Sequence, residues 1–86
     1  MDITMHELKI EPKWFDDVRN HKKNFEVRKY DRNYNVGDLV HLREFKDGEY
    51  TGRQVCRRIE YILEGGSYGL EEGYCILGLE NWFMKG

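Results

Sequence analysis

Asp47-Gly48, lying between two stretches that alternate apolar and polar residues, limits this chain more than any other step in it. Asp and Gly tolerate the left-handed backbone that a tight hairpin turn needs, and such a turn forces its flanks into antiparallel pairing. The leading flank, Leu39 to Phe45, sets Leu39, His41, Arg43 and Phe45 on one face and Val40, Leu42 and Glu44 on the other. After the turn region Lys46 to Gly52, the second flank runs from Arg53 to Leu63. It sets Val55, Arg57, Ile59, Tyr61 and Leu63 against Cys56, Arg58, Glu60 and Ile62. Neither face of that long stretch is uniformly apolar. A strand reads this way when a bulge exchanges its buried face part-way, as happens where a sheet coils toward a barrel.

The remaining segments extend that sheet. Residues 4–10 contain Met5, Leu8 and Ile10, but Met5 falls on the face opposite Leu8 and Ile10, so a bulge or a start at Glu7 is predicted there. Glu11-Pro12 opens a helix, since proline at the first helical position gives up an N–H with no helical partner. Trp14, Phe15 and Val18 form its apolar stripe, and it is predicted to end between Asn20 and Lys22. Residues 24–29 form a short strand, 30–38 a loop rich in Asp, Asn and Gly, and 64–73 a glycine-rich loop leading to a last strand at 74–79. In the tail, Trp82 and Phe83 either cap the sheet or contact another chain. The expected architecture is α+β, mainly β: one domain over 1–86, a small barrel of about five strands with a helix near the N-terminus.

At 86 residues, 40% hydrophobic and 35% charged, the chain is too apolar for disorder, and no apolar run approaches the ~18 residues of a membrane span. The opening MDITMHELKI has no signal-peptide pattern, so a cytoplasmic, full-length protein is expected. Cys56 and Cys75 lack metal-ligand spacing and read as reduced, buried thiols. No metal or cofactor is expected. No Ser or Cys stands with a matching His and acid, and the glycines do not spell a phosphate loop.

Charge is concentrated in one place. Residues 19–32 hold six Lys or Arg against Glu26 and Asp31, a local balance of +4, while the rest of the chain is acidic. A basic segment on an acidic body suits a localised anion site; a solvated charged face is the alternative. Within it, Glu26 and Arg28 share one strand face and Phe25 and Val27 the other. The pair is either a solvated ion pair or part of a polar pocket. His21 to Arg28 includes Lys23-x-x-Glu26-x-Arg28, and this run resembles the signature of the ASCH (activating-signal-cointegrator homology) domain, a PUA-like family with the pattern Gly-x-Lys-x-x-Glu-x-Arg. His21 stands where that pattern has glycine. The likeness continues in His6 to Ile10, Val36-Gly37-Asp38, Tyr50 to Arg53 and Gly69 to Tyr74, and is closest to a small bacterial and phage group of ASCH-like domains without assigned function.

The resemblance implies a PUA-like β-barrel with a cleft beside the helix, binding RNA or a nucleoside- or nucleotide-like ligand. One branch of the family hydrolyses an acylated pyrimidine nucleoside, with threonine at the place of Glu26; if this chain were such an amidohydrolase, Lys23 and Glu26 would be its acid/base pair. A further alternative is a phage-type accessory protein that binds other proteins. From the residues themselves, Lys23 offers a point charge to phosphate or carboxylate and Arg28 a planar donor fork. Asp31, Arg32, His6 and Lys9 are candidate extensions of the site. Tyr30, Tyr34, Tyr68 and Tyr74 are candidate stacking platforms, Tyr68 foremost because glycines flank its loop. A monomer or weak homodimer is expected, with no membrane partner.

Overall fold

The computed structural model describes residues 2–81. Five strands, β1 (Met5–Ile10), β2 (Phe25–Lys29), β3 (Leu39–Lys46), β4 (Glu49–Glu64) and β5 (Tyr74–Asn81), form one sheet, and a single helix, α1 (Pro12–Arg19), follows β1. The sheet order is β1-β3-β4-β5-β2. β1 runs parallel to β3 and the other pairs are antiparallel. The Trp82-Phe83 tail lies outside the described residues. Among the described residues no helix is long and apolar enough to cross a membrane.

The hairpin forms as expected: Asp47 and Gly48 both take positive φ (51° and 81°) and Lys46 pairs with Glu49. β4 begins earlier than predicted and is interrupted twice. Its register with β3 shifts opposite Arg43 to Phe45, and its register with β5 shifts between Ile59 and Tyr61. The second shift is the predicted exchange of faces: Ile59 is buried before it, and Ile62 packs against the core after it. β1, in contrast, has no bulge. It alternates regularly because His6, rather than an apolar residue, fills the core-facing position before Leu8 and Ile10. Burial of that ring is tolerated because Nε2 pairs with Asp38 Oδ2 at 2.9 Å and the ring lies 4.7 Å from that of Tyr34.

The sheet curls into a half-barrel. Leu8 and Ile10, Val40 and Leu42, Ile59, and Cys75, Leu77 and Leu79 fill its inner face, and α1 adds Phe15 and Val18 to the same cluster. Trp14, expected in that stripe, turns outward. The barrel is not closed as expected: β1 and β2 are the two edges of the sheet. What crosses between them is a side chain, the Arg28 guanidinium, whose Nη2 donates to the Lys9 carbonyl at 2.7 Å.

α1 is anchored from β4. Arg53 donates to Asp16 of the helix at 3.0 Å, grips Glu44 of β3 through Nε and Nη2 (3.0 and 2.7 Å), and lies over the Phe15 ring. Arg57 Nη2 donates to the Val18 carbonyl at 3.1 Å, adding a second donor to an acceptor at the helix end. The chain then leaves through a Schellman turn, with His21 N–H to Val18 O (3.1 Å) and Lys22 N–H to Asp17 O (2.8 Å). His21 occupies the left-handed position of that turn, φ 62°, a conformation that glycine adopts most readily.

Candidate ligand site

That turn delivers Lys23 to the start of β2. In β2 the usual arrangement is reversed: Glu26 is buried on the inner face with Arg28, whereas Phe25 (43% exposed) and Val27 point outward. The alternation of the strand is as predicted; the inner face is the charged one. Glu26, its side chain 5% exposed, accepts from both cations. Lys23 Nζ donates to Oε2 at 2.7 Å, and Arg28 donates to Oε1 through Nη2 (2.6 Å) and Nε (3.1 Å). Both carboxylate oxygens are engaged, so Glu26 holds the two cations in place. Lys23 also donates to the Phe25 carbonyl at 2.7 Å, and its ammonium lies 4.7 Å from the Phe25 ring. Each cation keeps donor capacity: Lys23 uses two of its three N–H bonds, and Arg28 Nη1 makes no hydrogen bond among the described residues.

These groups line a cleft of about 720 Å³ between the end of β1, the start of α1 and β2. Lys9, Ile10 and Glu11 form one wall, Trp14 the helical rim, and Lys22, Lys23 and Phe25 to Arg28 the other wall. A cleft of this size falls in the range of small-molecule sites. Its walls carry aromatic and aliphatic surface from Trp14, Phe25 and Val27, and its polar groups are mainly cations.

Several candidates lie elsewhere. His6 is committed to Asp38 in the core and does not line the cleft, although Lys9 does. Asp31 and Arg32 sit on the exposed loop, loosely paired at 4.0 Å. Tyr68, at φ 53°, is 93% exposed at the tip of the β4–β5 loop and does not line the cleft. Tyr74 and Tyr30 border a second depression of about 450 Å³ with Glu64 and Glu72. Tyr34 is buried, and burial pushes its hydroxyl above the ordinary tyrosine range. Cys56 and Cys75 are both free, but only Cys75 is buried as expected; Cys56 is half-buried on β4, and burial raises both thiols above their ordinary range. Among the described residues no group of three or more His, Cys, Asp or Glu is placed to hold a metal ion.

Sequence reasoning missed Trp14, Lys22, Phe25 and Val27 as cleft residues, and Glu44 as a structural acid. Glu44 carried a signal: it shares its strand face with Val40 and Leu42, and a carboxylate on an apolar face needs a buried partner. Arg53 and Thr51 supply it, and their hydrogen bonds hold the Glu44 carboxyl down to about 2.

Residues 5–79 match a family model described as a domain of unknown function, DUF3850. The chain belongs to the DUF3850 family. Over 64 residues it is also 49% identical to the "Uncharacterized 12.9 kDa protein in GpA 3'region" of Escherichia phage P2. That match covers 74% of this chain and 59% of the phage protein. The whole relative is therefore longer than the region shared. The matched family region contains α1, all of β2 and the cleft between them.

Proposed function

We propose that this DUF3850 domain binds RNA or a nucleotide-like ligand in the cleft between β1, α1 and β2. The observation that carries the reading is the buried Glu26. It fixes Lys23 and Arg28 at the base of a cleft whose walls offer Trp14 and Phe25. A phosphate meets the remaining Lys23 and Arg28 donors, and a flat base meets aromatic surface. The ASCH-like signature and a PUA-like ancestry of the half-barrel belong to this proposal and agree with it. Binding takes precedence over amide hydrolysis because three N–H donors already occupy both Glu26 oxygens, leaving it poorly placed as a base.

The test is an NMR titration of the full chain with nucleosides, mononucleotides and short RNAs, following amides from Lys23 to Arg32. Shifts should concentrate there. Trp14→Ala with Lys22→Ala, both at the rim and outside the Glu26 network, should weaken binding at least about tenfold, the loss of one stacking contact, with little change in melting. Unchanged affinity in that double variant, or no shifts with any of the three ligand classes, refutes the site.

A further inference from the structure

The outer face of the sheet carries a second feature beside the cleft. Gly78 of β5 pairs with Phe25 of β2 on one side and with Tyr61 of β4 on the other, so the three residues form one row across three strands. The next row is Val27, Ile76 and Leu63. Phe25 and Tyr61 (64% exposed) thus stand on either side of a glycine floor on a surface open to solvent. The glycine keeps that floor low: a Cβ at position 78 would come within 3.3 Å of the Tyr61 Cβ. Neighbouring strands lie ~4.8 Å apart, so a flat ring above Gly78 would stand about that far from the Phe25 wall and closer to Tyr61, whose Cβ leans toward the glycine. The first distance is within the ~4.5–7 Å at which aromatic rings pair.

Phe25 belongs to both features. It borders the cleft, with the Lys23 ammonium 4.7 Å from its ring, and its position in the row makes it one wall of the trough. Building on the nucleotide-binding reading of the cleft, we infer that the ligand is a single-stranded nucleic acid: one nucleotide occupies the cleft, and the base of its neighbour stacks over Gly78 between Phe25 and Tyr61. Charge favours this occupant. The +4 segment that ends at Arg32 includes Lys22, Lys23 and Lys29 around β2, suited to a phosphodiester backbone. A second copy of the chain docking here through a two-fold contact would set two such segments against each other. Stacking on exposed aromatic residues of a sheet is sequence-tolerant, because every base has a flat face.

The test measures binding of uridine monophosphate and of a single-stranded uridine tetranucleotide to the wild-type chain, Tyr61→Ala and Tyr61→Phe. The wild type should bind the tetranucleotide at least tenfold more tightly than the monophosphate. Tyr61→Ala should lower tetranucleotide affinity on the order of 5- to 100-fold, the loss of one stacking contact, while leaving monophosphate affinity unchanged. Tyr61→Phe should retain tight binding, and thermal melting of each variant establishes that the fold is kept. If the monophosphate binds and Tyr61→Ala leaves the tetranucleotide unaffected, the trough is no base site and the cleft reading stands. If the wild type binds neither ligand, both fall. A change from dimer to monomer in the free Tyr61→Ala protein marks the face as a contact between copies and also overturns the inference.

Discussion

Replacing Glu26 by alanine tests whether the buried carboxylate is a strut. The side chain is almost fully buried and accepts three N–H bonds of 2.6–3.1 Å from two cations. Removing one member of a fully buried ion pair costs about 3–5 kcal/mol, because the partner is left charged and unpaired. Here Lys23 and Arg28 are themselves partly exposed and can recover some hydration. The expected loss is therefore smaller, about 2–3 kcal/mol, discounted toward the surface-pair limit. In a domain this small, about 2–3 kcal/mol lowers the melting temperature by roughly 10–20 °C. Urea denaturation at pH 7 reads the free energy, and the slope of the transition shows whether the unfolding reaction itself has changed. Glu26→Gln should be milder, since its carbonyl can still accept from one cation, though its amide then opposes the other. A loss below about 0.5 kcal/mol for Glu26→Ala would mean that the three groups form only a solvated pair. Glu26 would then not preorganise the cleft.

His21→Gly should stabilise the domain by about 0.5–1 kcal/mol, because glycine adopts the left-handed position of the Schellman turn without a Cβ clash but loses more backbone freedom on folding; a lower urea midpoint would show that the histidine side chain contributes something its backbone position does not reveal. The Glu44 carboxyl, held down to about 2 by Arg53 and Thr51, has a lower pKa folded than its ordinary value of 4.5. Its contribution is thus fully present above about pH 4.5 and lost as pH falls toward 2. The stability gap between wild type and Glu44→Gln should accordingly narrow between pH 5 and pH 2.5, and a gap independent of pH over that window would count against the network.

Much of the fold is legible in local chemistry. Asp47-Gly48 specifies a hairpin through its tolerance of positive φ, Glu11-Pro12 specifies a helix start, and the mixed patterning from Arg53 to Leu63 signals a bulge. The spacing Lys23-x-x-Glu26-x-Arg28 likewise implies that Glu26 and Arg28 share a face. Such features depend on neighbours in the chain, where backbone sterics and a period of two act directly.

Which face of β2 turns inward was beyond that reach. Alternation is symmetric: it separates Phe25 and Val27 from Glu26 and Arg28 without naming the buried set. The choice needs one distant group as well as near ones. Lys23 reaches in from the helix exit, and the Lys9 carbonyl lies on β1, a sheet edge among the described residues, so three charged residues find partners there. With the polar side satisfied inside, Phe25 and Val27 are left facing solvent. The same holds for Glu44, whose burial depends on an arginine nine residues away across a register shift. Sequence alone determined a coiled sheet with one helix and a charged second strand. Only the tertiary structure made that strand the wall of a cleft, because the facing wall and the Lys9 carbonyl come from β1 and α1, which lie beside β2 only in the folded sheet.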